Sequence, residues 1–166
     1  MKFGAIDIGT NAGRLLIGQI INGENGPYLN KISYTRVPLQ LGKDVFEHKI
    51  ITDKKKKKLL QSIKVFKILI DIHEIDEISA VATSAMREAE NSSSIIEKIK
   101  RKTGIDLKII SGKEEAKTIL KAFELLEFNK LSPKASSLLS SNKSINLYEK
   151  SLPENKVSNT GFVIIC

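Results

Sequence analysis

The sequence predicts an α/β domain built on one mixed sheet, with helices on the sheet's faces. Two observations carry this. Residues 3–37 hold three apolar, strand-like stretches joined by short turns, and from Thr52 onward amphipathic stretches of helical period alternate with short apolar runs. An antiparallel opening followed by β–α alternation gives a sheet that is antiparallel on one side and parallel on the other. A length of 166 residues suits one domain with a tail.

In order, residues 3–8, 14–21 and 28–37 read as strands. Asn22-Gly23 and Asn25-Gly26-Pro27 mark the second connection as a hairpin loop. Pro38 cannot donate to a ladder, so the segment Arg36 to Gly42 leaves the sheet. Thr52-Asp53 offers an N-cap for a helix through about Ile70, with Leu59, Leu60, Ile63, Phe66 and Ile70 on one stripe. Val65, Ile68 and Leu69 make the other side apolar, which predicts burial of the later turns. Ile78–Ala82 is a short strand, and Thr83–Ala89 a turn into a helix. Asn91 or one of Ser92–Ser94 caps a further helix with Ile95, Ile96 and Ile99 inward, and Gly104 closes it. Residues 105–110 read as a strand, and 111–128 as a helix. The order is β-β-β-α-β-α-β-α, with about five strands. Residues 129–160, rich in Ser, Lys and Asn, read as a partly disordered tail, and 161–166 as a strand. The expected division is therefore a domain at 1–128 and a tail at 129–166, whose terminal strand leaves a homodimer open.

The lone Cys166 excludes an internal disulfide framework, and no apolar run approaches the ~20 residues of a membrane span. Met1-Lys2 leads straight into strand-like sequence, so the reading is cytoplasmic, with no membrane partner. Lys plus Arg number 27 against 19 Asp plus Glu, a net charge of +8 that favours polyanionic partners. The densest run, Lys54–Lys58, reads first as a solvated face, and the absence of interleaved aromatics argues against single-stranded nucleic acid. Its place in the first turns of a helix opposes the helix dipole, so a role other than helix stability stays open. His48 and His73 are too isolated for a metal site.

The stretch Phe3–Ile17 carries the first candidate site. An apolar strand runs into Asp7 and then into a turn with Gly9, Thr10 and Asn11. Gly9 permits positive φ or close approach of a ligand, and the turn's N–H groups can cradle an anion. Asp7 beside a phosphate makes sense if a divalent cation lies between them. An ordinary hairpin turn explains the same residues equally well. Ligands in such sheets gather at the carboxyl ends of the strands, and Asp7, Arg87 and Glu115 each follow a strand end.

Four segments together resemble the Ppx/GppA phosphatases, the exopolyphosphatase and guanosine pentaphosphate phosphohydrolase family. They are A-I-D-I-G-T-N-A-G-R-L-L at 5–16, R-V-P-L-Q-L-G at 36–42, V-A-T-S-A-M-R-E-A-E-N at 81–91 and I-S-G-K-E-E-A at 110–116. The resemblance implies an actin-like ATPase (ribonuclease H-like) domain. It implies a phosphate loop of Gly9, Thr10 and Asn11, a phosphate-holding Arg87, and Glu115 as the group that deprotonates the attacking water. It also implies Mg2+ near Asp7, with Glu114 as a second candidate ligand. The substrate implied is inorganic polyphosphate or guanosine pentaphosphate (pppGpp), not a specific nucleic acid. Taken alone, Arg87 reads as a helix arginine, and Glu114 and Glu115 as acids favoured at a helix N-terminus. The family's second phosphate loop, D-I-G-G-G-S-T, does not follow the 111–128 helix, and Cys166 stands where its Asp is expected. The sequence thus supplies one wall of a two-domain cleft. A phosphoanhydride hydrolase domain, incomplete as an isolated chain, is the first reading, and a non-catalytic polyanion-binding module is the alternative.

Overall fold

A computed structural model of the chain describes residues 1–23 and 26–117. Five strands form one sheet: β1 (Lys2–Ile8), β2 (Ala12–Gly23), β3 (Gly26–Pro38), β4 (Glu77–Ala82) and β5 (Lys108–Ile109). Their order across the sheet is β3-β2-β1-β4-β5. β1 pairs antiparallel with β2, and β2 with β3, while β1–β4 and β4–β5 are parallel. The expected mixed sheet is therefore present, and β1 is its pivot.

The registers decide where a site can form. Ile8 stands opposite Gly13 and Ala82, Ala12 opposite Pro38, and Ala82 opposite Ile109. The loop 9–11 and the chain following Pro38, Ala82 and Ile109 therefore all emerge at one end of the sheet. Brief hydrogen bonds tie this rim together: Thr83 N–H donates to Ile8 O at 3.1 Å, and Ile110 N–H to Ala82 O at 3.1 Å.

Four helices complete the described part: α1 (Leu41–His48), α2 (Asp53–Ile72), α3 (Ser84–Glu88) and α4 (Ser92–Thr103); residues 112–117 are helical as well. The core lies between α2, α4 and one face of the sheet, where Ile6, Ile8, Leu15 and Ile17 meet Leu59, Ile63, Phe66 and Ile99. The alternation of β1 sends Asp7 to the opposite face.

Several local expectations are altered. α1 carries little helical signal. Its N-cap, Gln40, has left-handed backbone and no side-chain cap bond, and Gly42 sits in its first turn. In α2 Leu59, Ile63, Phe66 and Ile70 of the expected stripe are buried and Leu60 half-buried, but Val65 is 47% and Ile68 57% exposed. The helix covers the sheet with one face only, so its second apolar side faces solvent. Tyr28, Leu29, Ile32 and Tyr34 are likewise exposed on the edge strand β3. The strand expected at 105–110 shortens to two paired residues, although Ile105 and Leu107 are buried. Gly104 closes α4 with φ 73°, as a left-handed cap should.

Thr52 and Asn91 do stand at the N-caps of α2 and α4, yet neither side chain caps its helix. Thr52 Oγ1 donates to Asp44 at 2.5 Å. The Asn91 amide reaches across to Ile51, accepting from its N–H at 3.0 Å and donating to its carbonyl at 2.9 Å. The helix expected to continue to 128, the tail at 129–160 and the strand at 161–166 lie outside the described residues. Among the described residues, no helix is long and apolar enough to cross a membrane.

Candidate active site

The site is built at the carboxyl-terminal rim of the sheet. The loop 9–11 is a tight reversal: Gly9 N–H donates to Ala12 O at 3.0 Å. Positive φ plays no part in it, because Gly104 is the one glycine with positive φ among the described residues. Nor does the packing of the loop itself require a glycine at this position. A Cβ there would meet nothing closer than Ala12 O and Arg14 Nη1, both at 3.6 Å.

Thr10 links this loop to the next element. Its hydroxyl lies 2.7 Å from the hydroxyl of Ser84, the first residue of α3. Arg87 follows three residues later on the same side of α3. Its Nη1 donates to Ile110 O at 2.7 Å and stands 3.8 Å from Glu115 Oε2. Thr10, Ser84, Arg87 and Glu115 thus form a continuous line across the ends of β1, β4 and β5. Arg87 and Glu115 are about one-third exposed, at 34% and 28% for their side chains, so both remain open to a ligand. Asn11 acts here through its backbone: its carbonyl accepts N–H bonds from Leu39 at 2.8 Å and Gln40 at 2.9 Å.

Asp7 is 5% exposed and is tied to Arg14 at 2.6 Å. The cross-strand register sets this pair, since Asp7 and Arg14 are direct partners of β1 and β2. Burial pushes the Asp7 carboxyl up, and the hydrogen bond and charge of Arg14 oppose that rise. Glu114 takes a local role. It accepts the Ser111 N–H at 2.7 Å while its own N–H donates to Ser111 Oγ at 3.2 Å, a reciprocal capping box. The bond from the Ser111 backbone, then that from its hydroxyl, holds the Glu114 carboxyl below its ordinary value.

Magnesium is commonly held by one or two carboxylates, with water and substrate phosphate completing its shell. Both candidate carboxylates are already engaged, Asp7 by Arg14 and Glu114 by Ser111; Asp7 lies directly beside the loop, so it is the candidate that would hold a metal ion together with substrate oxygens. Among the described residues, no group of three or more His, Cys, Asp or Glu is placed to hold a metal ion unaided. Two residues missed in the sequence reading belong to this rim. Arg14 was legible in principle, because the four residues between Ile8 and its partner Gly13 put it opposite Asp7. Ser84 carries no signal of its own beyond its position within the 81–91 segment.

The family model of the Ppx/GppA phosphatase family matches residues 17–130. The chain belongs to this family. Three of the four segments noted in the sequence fall inside that match, and 5–16 lies immediately before it. Exopolyphosphatase 1 of Mycobacterium tuberculosis is 29% identical over 117 residues, covering 70% of this chain and 33% of that protein. A bifunctional 3-dehydroquinate synthase/phosphatase of Fusobacterium nucleatum is 35% identical over 115 residues, covering 68% of this chain and 17% of that protein. The crystal structure of the Aquifex aeolicus Ppx/GppA family member superposes with a TM-score of 0.66 and 31% identity, covering 71% of this chain and 37% of that one. This Ppx/GppA chain has the actin-like ATPase fold of its structural relatives, and it spans about a third of the length of the exopolyphosphatase it matches.

Proposed function

We propose that this Ppx/GppA domain takes part in hydrolysis of the terminal phosphoanhydride bond of a polyphosphorylated substrate, with inorganic polyphosphate preferred over pppGpp as the first candidate. The observation that carries the reading is the pairing of Arg87 with Glu115 at the rim that also holds the 9–11 loop. Two exopolyphosphatases support polyphosphate over the nucleotide, one from Mycobacterium tuberculosis by sequence and one from Cytophaga hutchinsonii by structure.

In this reading the N–H groups of Thr10 and Asn11 and the Thr10 hydroxyl bind non-bridging oxygens of the terminal phosphates, while the Gly9 N–H closes the loop onto Ala12 O. Arg87 contributes a charge-assisted fork to the same anion. Glu115 orients a water molecule and accepts its proton as the water oxygen bonds to phosphorus. The bridging P–O bond breaks in line, releasing inorganic phosphate and a chain one phosphate shorter. Mg2+, held by Asp7 and the substrate, would offset phosphate charge and stabilise the leaving oxygen. The Arg87 charge keeps Glu115 turned toward the anion site before substrate arrives. The share of its relatives' length that the chain spans supports a further element of the proposal: this domain supplies one wall of the cleft. We place the domain in the cytoplasm on the same reading.

The test is phosphate release from inorganic polyphosphate and from pppGpp with magnesium, in wild type and Glu115→Gln. Loss of the general base is expected to lower turnover by about 10²–10⁴-fold. Robust hydrolysis unchanged by Glu115→Gln overturns the assignment. Salt-sensitive polyphosphate binding with no turnover by the wild type would instead make the chain a non-catalytic polyanion-binding module.

A further inference from the structure

The lysine run Lys54–Lys58 occupies the first turns of α2, where the helix dipole disfavours cations. Its members do not share one environment. Lys54, Lys57 and Lys58 are exposed, and Lys56 pairs with Asp53 at 2.7 Å on the surface. Lys55 differs: its side chain is 18% exposed, it pairs with Asp44 at 2.5 Å, and its Nζ donates to the Gln40 carbonyl.

Gln40 lies in an unusual place. Its backbone is left-handed, φ 56° and ψ 45°, a conformation that a non-glycine residue keeps when its surroundings over-determine it. The segment around it straps the candidate phosphate loop from behind. Leu39 and Gln40 N–H both donate to Asn11 O, and Gly42 N–H donates to Thr10 O at 3.1 Å. We propose that Lys55 is a positioning residue for the phosphate loop, holding the Gln40 carbonyl and, through the 39–42 strap, fixing the backbone of Thr10 and Asn11. The functional consequence rests on the phosphate-loop reading above; the brace itself does not.

An ammonium has three donors and no acceptor, so one Lys can hold both the Gln40 carbonyl and the Asp44 carboxylate. Asp44 anchors the other side of the brace. It also accepts the Thr52 N–H at 3.3 Å and the Thr52 hydroxyl at 2.5 Å, which ties α1 to the start of α2. Lys55, bonded to Asp44, holds that carboxyl below its ordinary value, with Thr52 adding to the effect. The sequence 36–42 thereby gains a physical role: Pro38 ends β3, the next residues grip the loop, and Lys55 grips them.

The experiment is amide hydrogen exchange on Lys55→Met, Lys55→Arg, Lys54→Met and Lys58→Met. Methionine keeps the length of the side chain and removes the donor. In Lys55→Met the amides of Leu39, Gln40 and Gly42 are expected to exchange at least about tenfold faster, while those of β1 stay within about twofold of wild type. Lys54→Met and Lys58→Met remove the same charge and are expected to leave both groups unchanged. Lys55→Arg keeps a cation within reach and is expected to retain most of the protection. Unchanged strap amides in Lys55→Met overturn the proposal, as does equal acceleration in Lys54→Met, or a parallel rise at β1 that signals general destabilisation. A second readout is polyphosphate hydrolysis, where kcat/KM is expected to fall in Lys55→Met and to recover in Lys55→Arg. Loosened strap amides with unaltered hydrolysis would uphold the brace and overturn the phosphate-loop reading on which its function rests.

Discussion

Gly42→Ala tests how tightly the strap is fitted to the loop. A Cβ at Gly42 would stand 2.2 Å from Thr10 Cγ2 and 3.0 Å from Phe46 Cε2. Carbon atoms settle about 3.5–4.0 Å apart, so the Thr10 contact requires a shift of more than roughly 1 Å. Phe46 is 56% exposed and can swing away, but Thr10 is held at both its hydroxyl and its carbonyl. Two effects oppose each other. Replacing Gly by Ala in a helix gains up to about 1 kcal/mol, and overpacking a fitted contact costs about 1–3 kcal/mol. The position is in the first turn of α1, where the propensity gain is at the low end, so the clash wins by about 1–2 kcal/mol. That is a loss of roughly 3–8 °C in Tm for a domain of this size. The partner in the clash is a single methyl group, which supplies the decisive control. Thr10→Ser removes Cγ2 and keeps the hydroxyl that meets Ser84. In a double-mutant cycle followed by urea unfolding, Thr10→Ser is expected to recover most of the stability lost in Gly42→Ala. A neutral or stabilising Gly42→Ala, or a loss that adds to that of Thr10→Ser without coupling, refutes the fitted strap.

Asn91→Ala strips Ile51, fully buried, of partners for both its N–H and its carbonyl. A loss of about 2–3 kcal/mol is expected by chemical denaturation with an unchanged m-value, against about 1 kcal/mol for an ordinary cap. Asp44→Asn should show a pH-dependent deficit. The Asp44 carboxyl is depressed in the folded state, so its pairing stabilises above the unfolded value near pH ~4 and is lost as pH falls through the folded one. The stability gap between wild type and Asp44→Asn is therefore expected to be widest at neutral pH and to close in acid, and urea titrations giving a constant gap would contradict the assigned pairing.

The parts of the fold legible in the sequence are those governed by neighbours along the chain. The opening strands follow from apolar runs broken by Gly and Asn, and the buried stripe of α2 from residues three and four apart. The exposure of Val65 and Ile68 was not legible, because helical periodicity says which residues share a face and not how many faces are covered. α1 was hidden for a related reason: a left-handed Gln40 and an early Gly42 argue against a helix locally, and the strap contacts to residues 10 and 11 override them. In the candidate site, Arg87 and Glu115 were found through the segments that carry them, and the structure brings their side chains to 3.8 Å. Glu114, adjacent to Glu115, was separable from it only by geometry, since the capping box directs one carboxylate to Ser111 and leaves the other on the Arg87 side.

Three polar residues show where reading by spacing stops. Thr52 and Asn91 occupy the cap positions that local rules assign, and Lys55 sits in a run that local rules assign to solvent. Each makes its bonds to another element instead: Thr52 to Asp44, Asn91 to Ile51, Lys55 to Gln40 and Asp44. The common cause is the crowded rim. The ends of β1, β3, β4 and β5 converge there with the starts of α1, α2 and α3, so many backbone groups lose ladder partners within a small region. Asn91 is drawn to the Ile51 backbone rather than to its own helix N-terminus, because leaving a buried backbone group unpaired costs about 1–3 kcal/mol and a missing cap only about 1 kcal/mol, while Thr52 and Lys55 converge on the Asp44 carboxylate. The same convergence that gathers the candidate phosphate loop, an arginine and a glutamate at one rim therefore also fixes where the supporting bonds must go.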